Sequence, residues 1–206
     1  MIFIDIETVP SMCLPTIAEV KPPASMSKPE TIKKWFDENS DAARWEMYRK
    51  QALDSMRGEI LCIGFAVDDG PVSVVDSLTD MFDLLIARDV PVRSYRWCGH
   101  NARKFDMKWI YRHAIRDGLM YLAKTIDFNR YKGNIVDTME MWSCDDYQAY
   151  TKLDDIARFL GVGGKSVGID GSKVFDFVMD GRVDEVKAYC ANDVELVRSV
   201  YLKLAA

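Results

Sequence analysis

Several features that would define other classes of protein are missing from this sequence. No apolar run approaches the roughly 20 residues that a membrane-spanning helix requires. Asp5 and Glu7 interrupt the apolar start, so we expect no signal peptide. The 5 cysteines are scattered, and none forms a C-x-x-C pair. This pattern argues against a disulfide framework or a cysteine-based zinc site, and it predicts a reducing, cytoplasmic location.

An excess of positive charge is also missing. The chain has 27 Lys and Arg against 32 Asp and Glu, a formal net charge of −5. This balance argues against a protein that grips nucleic acid through bulk positive charge. An enzyme acting on nucleic acid stays possible, because carboxylates clustered around metal ions also lower the net charge. The 206 residues, 49% hydrophobic and 29% charged, are typical of one globular domain.

Hydrophobic periodicity predicts an α/β protein with a mixed sheet. Residues 1–9 alternate as a strand, with isoleucines on one face and acids on the other. Residues 59–67 form a second predicted strand, a turn follows at 68–71, and a third strand covers 72–75. A long helix covers about 183–204. Two further strands are predicted at 92–98 and 134–137. The other predicted helices cover 78–87, about 104–117, a segment that begins at about 138, a segment from a Thr151–Asp154 capping box to Gly161, and 174–179.

Residues 10–58 separate the first two strands and form a predicted insertion. Five prolines up to Pro29 exclude a continuous helix in its first part, whereas its second part is charged and helix-like. Its apolar residues are too few for a core of their own. We therefore interpret the whole chain, 1–206, as a single domain in which 10–58 is a helical flap that could cover a cleft or bind a replication partner.

Two acids, Asp5 and Glu7, share one face of the first strand. Positions i and i+2 on a strand lie roughly 6–7 Å apart on the same side. The strand is otherwise apolar and therefore looks central, where like charges repel and lose hydration unless a cation lies between them. A metal site and a strand end open to water both fit this pattern.

Another acid, Asp106, follows the Gly-His-Asn segment that begins at Gly99. It falls in the first turn of a predicted helix, where the helix dipole favours an acid, and that alone would explain it. Phe105 and Trp109 recur at a spacing of four residues. This spacing is more typical of core packing than of a platform for stacked bases.

The last predicted helix carries an acid within its buried stripe. Its apolar residues recur at helical spacing, Asp193 falls among them, and Tyr189 precedes it by one turn. An acid that faces the core is costly unless it is paired or bound to a metal. A basic partner could pair with it, but the nearest cations in sequence, Lys187 and Arg198, project elsewhere.

Together these residues resemble the three motifs of the DEDD superfamily of 3′–5′ exonucleases. The matching segments are D-I-E-T from Asp5, G-H-N-x3-F-D ending at Asp106, and Y-x3-D from Tyr189 to Asp193. Within the superfamily the chain most resembles the exonuclease domain of family B DNA polymerases and its stand-alone bacterial and phage relatives. It fits the Tyr subclass, because the position at which the other subclass has histidine is Ala188.

The resemblance implies a fold, a reaction and a set of site residues. The fold is ribonuclease H-like, a mixed five-stranded sheet flanked by helices. The reaction is two-metal hydrolysis of phosphodiesters from the 3′ end of DNA, most simply single-stranded DNA. Two Mg²⁺ or Mn²⁺ ions would be held by Asp5, Glu7, Asp106 and Asp193, and Tyr189 would orient the attacking water.

Substrate contacts are also implied. Thr8, Asn101 and Phe105 resemble positions that contact the 3′-terminal nucleotide, and Lys165 lies in a glycine-rich loop that could border the cleft. The cations that could contact phosphates, if they are not simply solvated, are Arg103, Lys104 and Lys108. A separate DNA polymerase or replication protein is the expected protein partner, in a bacterial cytoplasm or in that of a phage host.

Three other functions fit parts of the sequence. Residues 163–166 resemble the end of a P-loop, but Phe159 stands where its first glycine is required and a helix precedes it, which argues against an ATPase or kinase. A 3′–5′ exoribonuclease stays open because no residue identifies a contact to a 2′-hydroxyl. A catalytically inactive nucleic-acid-binding or replication accessory module stays open as well, although every acid and Tyr189 are present.

Overall fold

The computed structural model describes residues 1–11, 13–89, 91, 94–144, 146, 150–164 and 170–206. Within them, five strands form one sheet in the order β3-β2-β1-β4-β5. Their bounds are β1 Ile2–Pro10, β2 Gly58–Val67, β3 Ser73–Val75, β4 Trp97–Gly99 and β5 Ile135–Asp137. Strand β4 is parallel to β1 and β5, and β3 is antiparallel to β2. This mixed sheet flanked by helices confirms the predicted ribonuclease H-like α/β fold.

The helices follow the predicted pattern closely. Their bounds are α1 Pro29–Lys50, α2 Leu78–Ala87, α3 Asp106–Arg116, α4 Met120–Ala123, α5 Thr138–Trp142, α6 Leu153–Leu160, α7 Val174–Met179 and α8 Val183–Ala205. The sequence did not predict α4, because four residues are too short to show a helical period. None of the described helices combines the length and apolar character needed to cross a membrane.

The two faces of the sheet bury different groups of apolar side chains. Ile2, Ile4 and Ile6 of β1 lie in one cluster, together with residues of α2 and α3. Phe3 lies in the other cluster, together with residues of α6 and α8. This division confirms the predicted alternation along β1. Because side chains alternate along a strand, the odd-numbered acids of β1 share the face of Phe3, which α8 covers.

Two predicted boundaries are wrong. The predicted capping box fails because α6 begins at Leu153 after an extended Lys152, and no side chain caps it. Instead, the backbone carbonyl of Thr151 accepts a hydrogen bond of 2.8 Å from Nε2 of His100, so a distant residue fixes this segment. The strand predicted at 92–98 is shorter, since β4 begins at Trp97; positions 92 and 93 lie outside the described residues.

By its internal contacts the chain divides into two compact units, Met1–Glu7 with Ile60–Ala206, and Thr8–Glu59. The second unit contains α1, none of whose 22 residues is buried. Within this unit the Thr8 hydroxyl donates a hydrogen bond of 2.6 Å to the carbonyl of Ala52. The description of the chain as one domain with an inserted flap stays a prediction.

Candidate active site

The sheet topology brings the predicted site residues of the first unit to one region. The parallel strands β1, β4 and β5 end at the same edge of the sheet. Asp5 and Glu7 follow the residues of β1 that pair with β4. Asn101 follows β4, and Asp137 ends β5. Helix α8 packs against β4 and α5 and carries Asp193. Residues far apart in the sequence therefore converge near this edge.

Three carboxylates form the centre of this region. One oxygen from each of Asp5, Glu7 and Asp193 lies within 4.8 Å of the other two. Glu7 and Asp193 are buried, and Asp5 is partly buried. Like charges this close repel strongly where water is excluded. Such a group is therefore suited to a cation that lies among its oxygens.

The cations nearest to Asp193 along α8 pair with acids outside this group. The ammonium of Lys187 lies 2.7 Å from the Asp76 carboxylate. The guanidinium of Arg198 pairs with Glu195 and donates a hydrogen bond of 2.7 Å to a backbone carbonyl. These contacts confirm the prediction that both side chains project elsewhere.

Asp106, the fourth predicted acid, lies beside the three-carboxylate group rather than within it. Its Oδ1 atom accepts a hydrogen bond of 3.1 Å from the backbone N–H of Ile6, between the two acids of β1. Burial, followed by the negative charges of Asp137 and Asp193, raises the pKa of Asp106 to about 7. Asp106 is therefore close enough for its charge to be coupled to that of Asp193.

Tyr189 lies one turn before Asp193 and is buried. Its hydroxyl donates a hydrogen bond to the Asp193 carboxylate. Burial, followed by the charges of Asp193, Glu7 and Asp5, raises the pKa of Tyr189 well above its usual range. The phenol is therefore protonated at neutral pH in the metal-free protein and can donate a hydrogen bond.

Asp137 is a buried acid that sequence analysis did not single out. Its carboxylate accepts hydrogen bonds from the backbone N–H groups of Asn101 at 2.9 Å, Arg103 at 3.0 Å and Met139 at 3.0 Å. Asn101 has a left-handed backbone with φ of 58°, so this carboxylate stabilises an otherwise unfavourable turn. An Asp between a strand and a helix was the available signal, because it is a favoured residue at a helix N-cap.

Arg103 has a structural role, and its prediction as a phosphate contact or solvated cation is wrong. Its side chain is only 13% exposed. The guanidinium donates hydrogen bonds to Glu140 at 3.1 Å and to the carbonyls of Phe128 at 3.1 Å and Ile135 at 2.8 Å. Together with Asp137, it fixes the segment between β4 and α3 to the segment around β5.

The predicted substrate contacts have separate outcomes. Asn101 lines a pocket that also includes the exposed Lys104. The Phe105 ring is partly buried, packs against the core and lies 5.9 Å from the Trp109 ring, as the core-packing interpretation predicts. Lys165 lies outside the described residues.

Comparison with known proteins agrees with this picture. A family model matches residues 81–206, which is more than half of the chain. That stretch includes Asp106, Tyr189 and Asp193 but not the acids of β1. No curated protein matches the chain. The matched family consists of nucleases, whose substrate is nucleic acid, and the chain belongs to it: predicted 3′–5′ exonucleases related to the exonuclease domain of PolB.

Proposed function

We propose that this protein is a metal-dependent exonuclease that hydrolyses phosphodiesters from the 3′ end of single-stranded DNA. The observation that carries the proposal is the group formed by Asp5, Glu7 and Asp193, whose carboxylate oxygens lie within 4.8 Å of one another. Family membership supports the 3′–5′ direction, and the relation to a DNA polymerase exonuclease domain supports DNA as the substrate.

The residues present suit Mg²⁺ or Mn²⁺. Hard divalent cations prefer oxygen ligands, and the group offers carboxylates from Asp5, Glu7 and Asp193 with neither cysteine nor histidine among them. In our proposal these three hold one ion, and Asp5 with Asp106 holds a second. When bound, such a pair of ions stabilises the attacking and leaving oxygens of an in-line displacement.

In this proposal Tyr189 orients the attacking water. A protonated phenol can donate a hydrogen bond and hold a water molecule in place, but it cannot take a proton from that water. The raised pKa of Tyr189 supports this positional role. Its bond to Asp193 couples the orientation of the phenol to a proposed metal ligand.

The contacts to the terminal nucleotide are part of the same proposal. We assign them to Thr8, Asn101, Phe105 and Lys165. Asn101 has the best structural support, because Asp137 fixes its backbone in the turn that leads to Asp106. An amide side chain in such a fixed turn can bond a sugar or phosphate oxygen without first being ordered.

The test is to digest single-stranded DNA and RNA oligonucleotides, labelled at the 3′ end, in parallel with Mg²⁺, Mn²⁺ or EDTA. We expect labelled mononucleotide from DNA with either metal and none with EDTA. Asp5→Ala should abolish release. The matched control is Asp184→Ala, which removes an exposed acid of α8 and should not change the rate.

Each other outcome has a distinct meaning. Faster release from RNA would replace this proposal with a 3′–5′ exoribonuclease. Binding of the oligonucleotide without cleavage would identify an inactive binding module. Release that EDTA does not stop would contradict the metal dependence.

The proposal also includes a cellular compartment and a protein partner. The scattered cysteines favour a reducing compartment, and we propose the cytoplasm. A separate DNA polymerase or replication protein is the proposed partner. Copurification of such a protein with the tagged chain is the measurement that checks it.

A further inference from the structure

Gly64 lies in β2 beneath α8, at a contact that leaves no room for a side chain. A Cβ atom at this position would lie 2.9 Å from Sγ of Cys190, 2.9 Å from Cγ2 of Val194 and 3.2 Å from the backbone carbonyl of Cys190. Real Cβ atoms essentially never approach other atoms within 3.0 Å. Gly64 does not have the left-handed backbone that favours glycine, so close approach of the helix is the reason for this residue.

The helix residues in this contact are chain neighbours of two proposed site residues. Cys190 directly follows Tyr189, and Val194 directly follows Asp193. The Cys190 thiol also donates a hydrogen bond of 3.5 Å to the backbone carbonyl of Asp5. One turn of α8 is therefore held against both β2 and β1 at the level of the three-carboxylate group.

We infer that Gly64 is a positioning residue for the metal site. By letting α8 lie close to β2, it sets the separation between the Asp193 carboxylate and the carboxylates of β1. This inference rests on the proposed metal-dependent function. Protein interiors are close-packed and transmit strain, so a methyl group at Gly64 would displace this turn of α8 instead of being absorbed locally.

Binding of Mg²⁺ should be sensitive to such a displacement. Mg²⁺ demands near-ideal octahedral geometry at about 2.0–2.1 Å, so a small shift of one ligand weakens its binding. A purely structural role for Gly64 predicts something else. It would lower the stability of the fold, but the folded molecules would bind metal with unchanged affinity.

The experiment measures binding of Mg²⁺ alone and Mn²⁺ alone to the full chain by calorimetry. We expect Gly64→Ala to raise the Kd for Mg²⁺ by about tenfold or more, as changes around metal ligands commonly do. The matched control is Gly171→Ala, because a Cβ there would meet no described atom within 4 Å. Its Kd values should equal those of the wild type.

A second comparison tests the contact itself. Cys190→Ala with Val194→Ala removes both side-chain atoms that a Cβ at Gly64 would meet. In this background, adding Gly64→Ala should change the Kd by less than about twofold, compared with the rise of about tenfold expected for Gly64→Ala alone. An equal loss in both backgrounds would overturn the inference.

The results separate this inference from the proposed function. A wild type that binds neither metal would contradict the proposed function. A wild type that binds metal, with a folded Gly64→Ala that binds equally well, would overturn only the role of Gly64. If Gly64→Ala does not fold, Val194→Ile enlarges the side chain at the same contact and keeps the Cys190 hydrogen bond. The same rise in Kd is expected, and a folded Val194→Ile with wild-type Kd would overturn the inference.

Discussion

Asp137 and Asp193 are both buried acids near the same edge of the sheet, but their surroundings differ. Asp137 is 3% exposed and Asp193 is 5% exposed, so burial does not distinguish them. Asp137 accepts three hydrogen bonds from backbone N–H groups. Asp193 instead lies in a group with two other carboxylates. Backbone donors offset part of the cost of burying Asp137, although burial still raises its pKa. Asp193 has a phenol donor, Tyr189, but its carboxylate lies close to two others of like charge.

The contrast indicates how an acid proposed to bind metal can be distinguished from a structural one. A buried charge persists when hydrogen bonds or an opposite charge stabilise it. Where backbone donors already do so, as at Asp137, the acid contributes to the fold. Where like charges surround it, as at Asp193, an added cation is the natural source of stabilisation. The two acids should therefore respond in opposite ways to neutralisation.

The largest expected effect is the loss of activity in Asp193→Asn. Losing a proposed metal ligand should lower kcat by more than about 100-fold, since even residues that only support ligands contribute about 10–100-fold. The metal-free variant should be at least as stable as the wild type, because one of three repelling charges is gone. Thermal unfolding in EDTA measures this. A large fall in metal-free Tm would show that Asp193 acts as a structural acid like Asp137.

Tyr189→Phe sharpens the proposed division between binding metal and orienting water. We expect kcat to fall by about 10–100-fold, with little change in KM or in metal affinity, because only a hydrogen-bond donor is removed. Steady-state kinetics and calorimetry separate the two quantities. If metal affinity fell as much as kcat, the phenol would act by holding Asp193 in place, and its assignment to the water would be wrong.

Asp137→Ala should damage the fold more than the chemistry. Three backbone N–H groups, one in a buried and two in partly buried hydrogen bonds, would lose their acceptor. This loss should lower the free energy of unfolding by about 1–3 kcal/mol. We expect a smaller effect on kcat than in Asp193→Asn. Urea denaturation in EDTA measures the stability, and Asp184→Ala is the exposed control. An Asp137→Ala variant as stable as the wild type would break the contrast between the two acids.

A pH dependence of stability should arise from Asp106. Its pKa is raised to about 7 in the folded protein, against about 3.9 for an unperturbed Asp. A raised folded pKa gives stability that is fully present below the unfolded pKa and lost as pH rises through the folded value. The metal-free wild type should therefore lose stability relative to Asp106→Asn between about pH 4 and pH 7.

The measurement is urea denaturation of both proteins in EDTA across this range. Metal affinity should show the converse trend, because a bound cation favours the ionised carboxylate; it should rise up to about pH 7 and then level off. A stability difference between the two proteins that does not change with pH would contradict the assigned pKa of Asp106.

Local patterns predicted the strands and helices well, because their signals lie within a few residues. The alternation along β1 and the helical spacing around Asp193 each describe a single element, and both were confirmed. The ends of elements were less predictable. The segment before α6 is fixed by His100 from another part of the chain, so local capping signals gave the wrong start.

Contacts between distant segments explain the residues that were missed or misassigned. Arg103 looked like a surface cation because its acceptors lie around β5. Asp137 looked like the end of a strand because two of its three donors belong to the turn after β4. Gly64 matched no motif, because only the position of α8 shows why a side chain is excluded there.

Anomalous diffraction from crystals soaked in Mn²⁺ would show directly whether the three carboxylates bind a metal ion. We predict an anomalous peak between Asp5, Glu7 and Asp193, about 2.0–2.3 Å from their nearest carboxylate oxygens. Asp193→Asn crystals treated identically should show a weaker peak or none. A protein that degrades DNA from the 3′ end, but whose crystals show no Mn²⁺ at these carboxylates, would contradict the account.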